Sequence, residues 1–141
     1  MIKAITCIIA CIIIDSGTMQ FRNGEYTGEI VNGLPHGKGQ YTEKGGVYEG
    51  IFVNGSFTGY GKMTGEGIVV EGTFEDWEIN GEGRYELKSG TEYRGMMQHS
   101  IPHGSGEMII RGKFKYVGEF RKGVSEGVGR LEKDNGEIYV G

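Results

Sequence analysis

Three histidines, two cysteines and one acidic cluster are the side chains of this 141-residue chain best suited to chemistry. His36 and His103 each stand just before a Gly-x-Gly pair, three copies of a repeat apart. With two strands per copy, that separation is about 30 Å, far beyond a shared metal shell. His99 is nearer to His103, but no third ligand is arranged around them, so all three histidines read as turn-packing residues. Glu75, Asp76 and Glu78 crowd one turn, as an acid/base pair or a calcium site would. Calcium-binding β-helix repeats place an aspartate beside the glycines of every copy, and these copies do not, so a solvated turn is expected. Cys7 and Cys11 stand four residues apart, about 13 Å along a strand, too far for a disulfide. Gly-x-Gly could cradle phosphate, but that chemistry needs a glycine turn feeding a helix N-terminus, and no stretch has helical periodicity with caps. No catalytic residue, metal or cofactor is expected.

The glycine pairs themselves set the architecture. They fall at Gly37/Gly39, Gly59/Gly61, Gly81/Gly83, Gly104/Gly106 and Gly127/Gly129, in steps of 22, 22, 23 and 23 residues. Such a period means stacked copies of one small unit. It accounts for 28 glycines without invoking disorder.

Aligned copies define the unit. A large residue, x-Gly-x and a second large residue form the first strand: Tyr26/Ile30, Tyr48/Phe52, Val70/Phe74, Tyr93/Met97 and Tyr116/Phe120, around Gly28, Gly50, Gly72, Gly95 and Gly118. A turn follows at Asn32-Gly33, Asn54-Gly55, Asp76-Trp77, His99-Ser100 and Lys122-Gly123. The second strand carries the glycine pair and ends on Tyr41, Met63, Tyr85, Met108 or Leu131. Alternation with period two predicts strands with one buried and one wet face. Asn-Gly suits tight hairpin turns with positive φ. The paired glycines are expected to let a large ring lie on bare backbone. One copy buries two large side chains, about 3–6 kcal/mol, against about 1 kcal/mol per residue for ordering some twenty residues. Stacked neighbours must supply the rest. The predicted fold is all-β, a single-layer solenoid of stacked β-hairpins.

Tyr48-Glu49-Gly50-Ile51-Phe52-Val53-Asn54-Gly55, followed by Gly59-Tyr60-Gly61-Lys62-Met63, resembles the MORN (membrane occupation and recognition nexus) repeat. Leu34-Pro35-His36-Gly37-Lys38-Gly39 and Ile101-Pro102-His103-Gly104-Ser105-Gly106 match its second half. The resemblance covers 26–141, with copies starting at 26, 48, 70, 93 and 116 and a partial one at 139. The third copy departs most, with Val70 in the tyrosine position and Trp77 in the turn-glycine position. The resemblance implies a non-catalytic protein-interaction and scaffolding module, some such arrays being membrane-associated. Similar repeats also precede catalytic domains in some lysine methyltransferases and plant phosphoinositide kinases, so a regulatory piece of a larger enzyme is an alternative.

Residues 1–25 form an apolar N-terminal segment with two readings. Ala4 to Ile14 is an eleven-residue apolar run, too short to span a bilayer but suited to a signal-peptide core. Ile8-Ile9-Ala10-Cys11 resembles a lipoprotein cleavage box. Alternatively, Asp15-Ser16-Gly17-Thr18-Met19 keeps the repeat register 22 residues before Gly37, as a degenerate capping copy would. The chain is expected to be cytoplasmic or membrane-associated, or secreted if residues 1–11 are a signal.

A net charge of −4 argues against nucleic acid as a partner. The charge is uneven: 111–133 holds seven basic and three acidic residues, within an otherwise acidic chain. Protein contact is expected at the wet strand face, at the tips around Trp77 or at an open strand edge, where self-association is also expected. Trp77 itself reads either as an exposed anchor or as a side chain folded back over an adjacent turn. The rival reading is an acidic lipid surface met by Lys113, Lys115, Arg121, Lys122 and Arg130.

Overall fold

A computed structural model describes residues 3–7 and 12–141. The Ile8–Cys11 box, and with it Cys11, lies outside the described residues. All regular structure among the described residues is strand. The strands alternate between eight and ten residues through most of the chain, as two-strand copies of one unit require.

Two compact units result. The first holds the described residues up to Glu66 together with Phe74–Trp77. Its strands are β1 (Lys3–Cys7), β2 (Ile12–Phe21), β3 (Gly24–Val31), β4 (Leu34–Glu43), β5 (Gly46–Val53) and β6 (Ser56–Gly65). Each runs antiparallel to the next. Strand β7 (Ile68–Glu75) gives Phe74 and Glu75 to this unit and Ile68–Thr73 to the second. The second unit continues with β8 (Glu78–Leu87), β9 (Thr91–Gln98), β10 (Ile101–Ile110), β11 (Phe114–Arg121), β12 (Val124–Lys133) and β13 (Ile138–Val140). These are again antiparallel neighbours.

The hairpin tips have the expected turn. Asn54 and Gly55 have φ of 48° and 82°, and Asn32-Gly33, Asp76-Trp77, His99-Ser100 and Lys122-Gly123 share this pair of positive values. Two consecutive left-handed residues match the twist of the flanking strands. Asp76-Trp77 and His99-Ser100 do so with no glycine, at a cost of about 1–2 kcal/mol per residue.

The glycine pair proves to have two jobs. The second glycine seats a ring: a Cβ on Gly106 would lie 2.6 Å from Tyr93 Cε2 and Cζ. Tyr26 covers Gly39 and Tyr116 covers Gly129 in the same way. The first glycine instead turns the chain, with φ of 73° at Gly37, 92° at Gly59 and 96° at Gly104. Strand pairing shifts register alongside these positions, so each marks a β-bulge.

The seated tyrosines are anchored at their far end. Tyr26 Oη donates to the Glu29 carbonyl at 2.8 Å and Tyr93 Oη to the Met96 carbonyl at 2.6 Å. Burial pushes both hydroxyls up to about 12, with the Glu29 carboxylate adding to the rise at Tyr26. A phenylalanine two strands on meets each of these two rings edge-on: Phe52 lies 4.9 Å from Tyr26, and Phe120 lies 5.2 Å from Tyr93. These rings, with Ile30, Tyr41, Phe57 and Phe74 in the first unit and Val70, Ile79 and Met97 in the second, form the buried cores.

Candidate functional site

Trp77 stands at the tip after β7 and packs back onto the inner face of its unit. Its amide donates to the Phe57 carbonyl at 2.9 Å, and Asp76 accepts from Ser56 Oγ at 2.7 Å, so both tip residues are tied down. The indole meets Tyr41 at 5.3 Å and Tyr48 at 5.2 Å between centroids, with interplanar angles of 75° and 81°. Phe52 and Phe57 follow at 5.9 Å each. Tyr48 is free to take part because Phe57, in the position of Pro35, fills the seat over Gly61 that a tyrosine fills in the first copy. Edge-to-face pairs of this kind add about 0.5–1.5 kcal/mol each beyond burial, enough to offset a left-handed tryptophan.

Two charged side chains border this cluster. The exposed Arg22 places its guanidinium 4.5 Å over the Trp77 ring. Glu43 accepts from Tyr41 Oη at 3.1 Å. Burial pushes the Tyr48 hydroxyl up, the Glu43 carboxylate raises it further and Arg22 pulls it back. Aromatic faces, a cation and a carboxylate therefore meet at a half-buried corner.

The basic stretch is less free than its composition implies. Lys115 pairs with Glu107 at 3.0 Å, Arg121 with Glu126 at 3.0 Å and Arg130 with Glu132 at 3.4 Å. Lys113 and Lys122 are exposed. Among the described residues no helix is long and apolar enough to cross a membrane, and no three potential ligands cluster as a metal site.

Three segments, 26–46, 48–66 and 116–138, match the family model described as MORN repeat. The chain carries MORN repeats. No curated protein matches it. MORN repeats are in general modules for protein or membrane interaction.

The histidines are clasps between successive copies. His36 Nδ1 accepts from the amide of Asn54, the first tip residue of the following copy, at 3.3 Å. His103 Nδ1 accepts in the same way from Lys122 at 3.3 Å, and Asn80 Oδ1 takes the equivalent bond from His99 at 3.0 Å. The residue before each acceptor supplies its carbonyl to the second tip amide: Gly55 donates to Pro35, Ser100 to Ile79 and Gly123 to Pro102, at 2.8–3.0 Å. Both amides of a left-handed turn thereby find partners. His99 itself pairs with Glu78 through Nδ1 at 2.8 Å.

Phe57, Ile79, Arg22 and Glu43 are the residues that sequence reasoning missed here. The available signal was the shared position of Pro35, Phe57, Ile79 and Pro102, where a large apolar residue replaces proline in the second and third copies.

Proposed function

We propose that this MORN-repeat chain is a non-catalytic scaffolding module whose outward strand face meets a protein partner. The observation that carries this reading is the pairing of the basic stretch. Lys115, Arg121 and Arg130 face carboxylates within 3.4 Å, so a lipid headgroup would compete with an existing partner for three of its five expected contacts. What the outward face offers instead is charge of both signs interleaved with exposed apolar side chains. Tyr60 is 64% exposed, and Val117 lies opposite Arg130 on one side and Glu107 on the other. Mixed charge around isolated apolar residues suits a protein surface of complementary pattern better than a uniformly anionic sheet.

The test runs the two surfaces side by side. Affinity capture from native lysate is compared between the unmodified chain and Val117→Glu, and flotation with anionic liposomes is measured at low salt, where lipid attraction is strongest. The scaffold reading expects a protein retained by the unmodified chain, lost with Val117→Glu, and no flotation. Flotation abolished by Lys113→Glu with Lys122→Glu, without protein capture, would establish the lipid reading instead.

A further inference from the structure

Trp77 is the single tryptophan of the chain, and it occupies a left-handed tip position where Gly33, Gly55 and Gly123 stand in other copies. Packing against Tyr41, Tyr48, Phe52 and Phe57 explains why the indole is tolerated there. It does not explain why Arg22, an exposed side chain on a turn, lies over its ring, nor why a carboxylate flanks the cluster.

We propose that the corner formed by Trp77, Tyr48 and Glu43 is a seat for a methylated lysine of a partner protein, with Arg22 its internal occupant. Three features argue for that chemistry. The ring face under Arg22 belongs to tryptophan, the side chain that attracts cations most strongly. The half-buried Tyr48 ring stands at 81° to the indole with centroids 5.2 Å apart, a second wall at the edge of the seat, while the buried Tyr41 ring backs the indole. Glu43, fixed by Tyr41 Oη at 3.1 Å, supplies the compensating negative charge. A trimethylammonium spreads its charge over methyl groups and sheds water readily, whereas an ordinary lysine ammonium is strongly hydrated and gains less from an aromatic seat. Arg22 makes one exposed cation–π contact in this seat, so an incoming ligand displaces a weak competitor.

This inference deepens the protein-binding reading by naming the chemistry of one contact, and it rests on that reading. Its test uses free ligands, so it can fail while partner capture through Val117 stands. Fluorescence of Trp77 is followed while the full chain is titrated with Nε-trimethyllysine, with unmodified lysine, and with phosphatidylcholine vesicles. The expected result is a saturable change with trimethyllysine and none with lysine. Arg22→Gln should tighten binding about two- to fivefold, the worth of an exposed cation–π contact, and Glu43→Gln should weaken it. Far-UV circular dichroism checks that both variants fold. Equal responses to lysine and trimethyllysine, or no saturable response in either the unmodified chain or Arg22→Gln, would overturn the proposal. A response to vesicles alone would overturn it in favour of a lipid headgroup.

Discussion

Phe57 lies over Gly61, where a Cβ would stand 3.2 Å from its Cε1, in the seat that Tyr93 fills over Gly106 and Tyr26 over Gly39. The copies thus share a requirement for a large side chain on bare backbone, while the strand that supplies it changes. Where proline stands at 35 and 102, the first-strand tyrosine takes the seat. Where phenylalanine or isoleucine stands at 57 and 79, that residue takes it, and Ile79 lies 3.0 Å from a Cβ on Gly83.

This exchange predicts a coupled pair. Gly61→Ala should destabilise by about 1–3 kcal/mol through overpacking, and Phe57→Ala by about 3–5 kcal/mol through the cavity it leaves. The double variant should cost less than the sum by about 0.5–3 kcal/mol, because the alanine methyl then occupies vacated space. Urea denaturation of the four proteins measures the coupling, and strict additivity would mean that the two residues do not meet.

The clasp histidines give a second prediction. His36→Ala removes the acceptor for the Asn54 amide and should cost about 1 kcal/mol, with faster hydrogen exchange at Asn54. His36→Asn should restore most of the protection, since Asn80 performs the same task for His99. Unchanged exchange at Asn54 in His36→Ala would remove the clasp.

Lys122 has a φ of 49° at an exposed tip. Lys122→Gly should stabilise the fold by about 1 kcal/mol, since glycine adopts left-handed backbone without the Cβ penalty and the amide bond to His103 is kept. A raised urea midpoint checks this. The same change leaves the paired Lys115, Arg121 and Arg130 untouched, so protein capture should persist.

Alkaline pH should unfold the chain in a defined window. Tyr26 and Tyr93 ionise near 12 when folded, against a usual value near 10. Their raised values favour the neutral phenol in the fold, so this stability is complete below pH 10 and is lost as pH climbs through 12. Circular dichroism and tyrosinate absorbance recorded together should show loss of structure and late ionisation in one transition. Ionisation of every tyrosine near pH 10 with structure intact would contradict the burial of these two hydroxyls.

Much of this was legible in the residues because strands and tight turns depend on short-range pattern. Alternation placed Tyr26, Phe52, Tyr93 and Phe120 on a buried face, and the tip pairs showed where the chain turns, even at Asp76-Trp77. The bulge at Gly37, Gly59 and Gly104 was hidden, since a glycine needed for φ and one needed for space look identical in a sequence. The Trp77 corner was hidden for another reason. Arg22 and Glu43 lie 55 and 34 residues from Trp77 in the chain, in different copies. Their meeting depends on how a tip packs onto the face of earlier strands, which no local periodicity encodes.

The claim that the outward face binds protein is tested most directly by a photo-crosslinking residue placed at Val117, with Met97 on the buried face as control. A discrete protein adduct is expected from position 117 and none from position 97. Adducts to lipid alone, or equal capture from both positions, would contradict it.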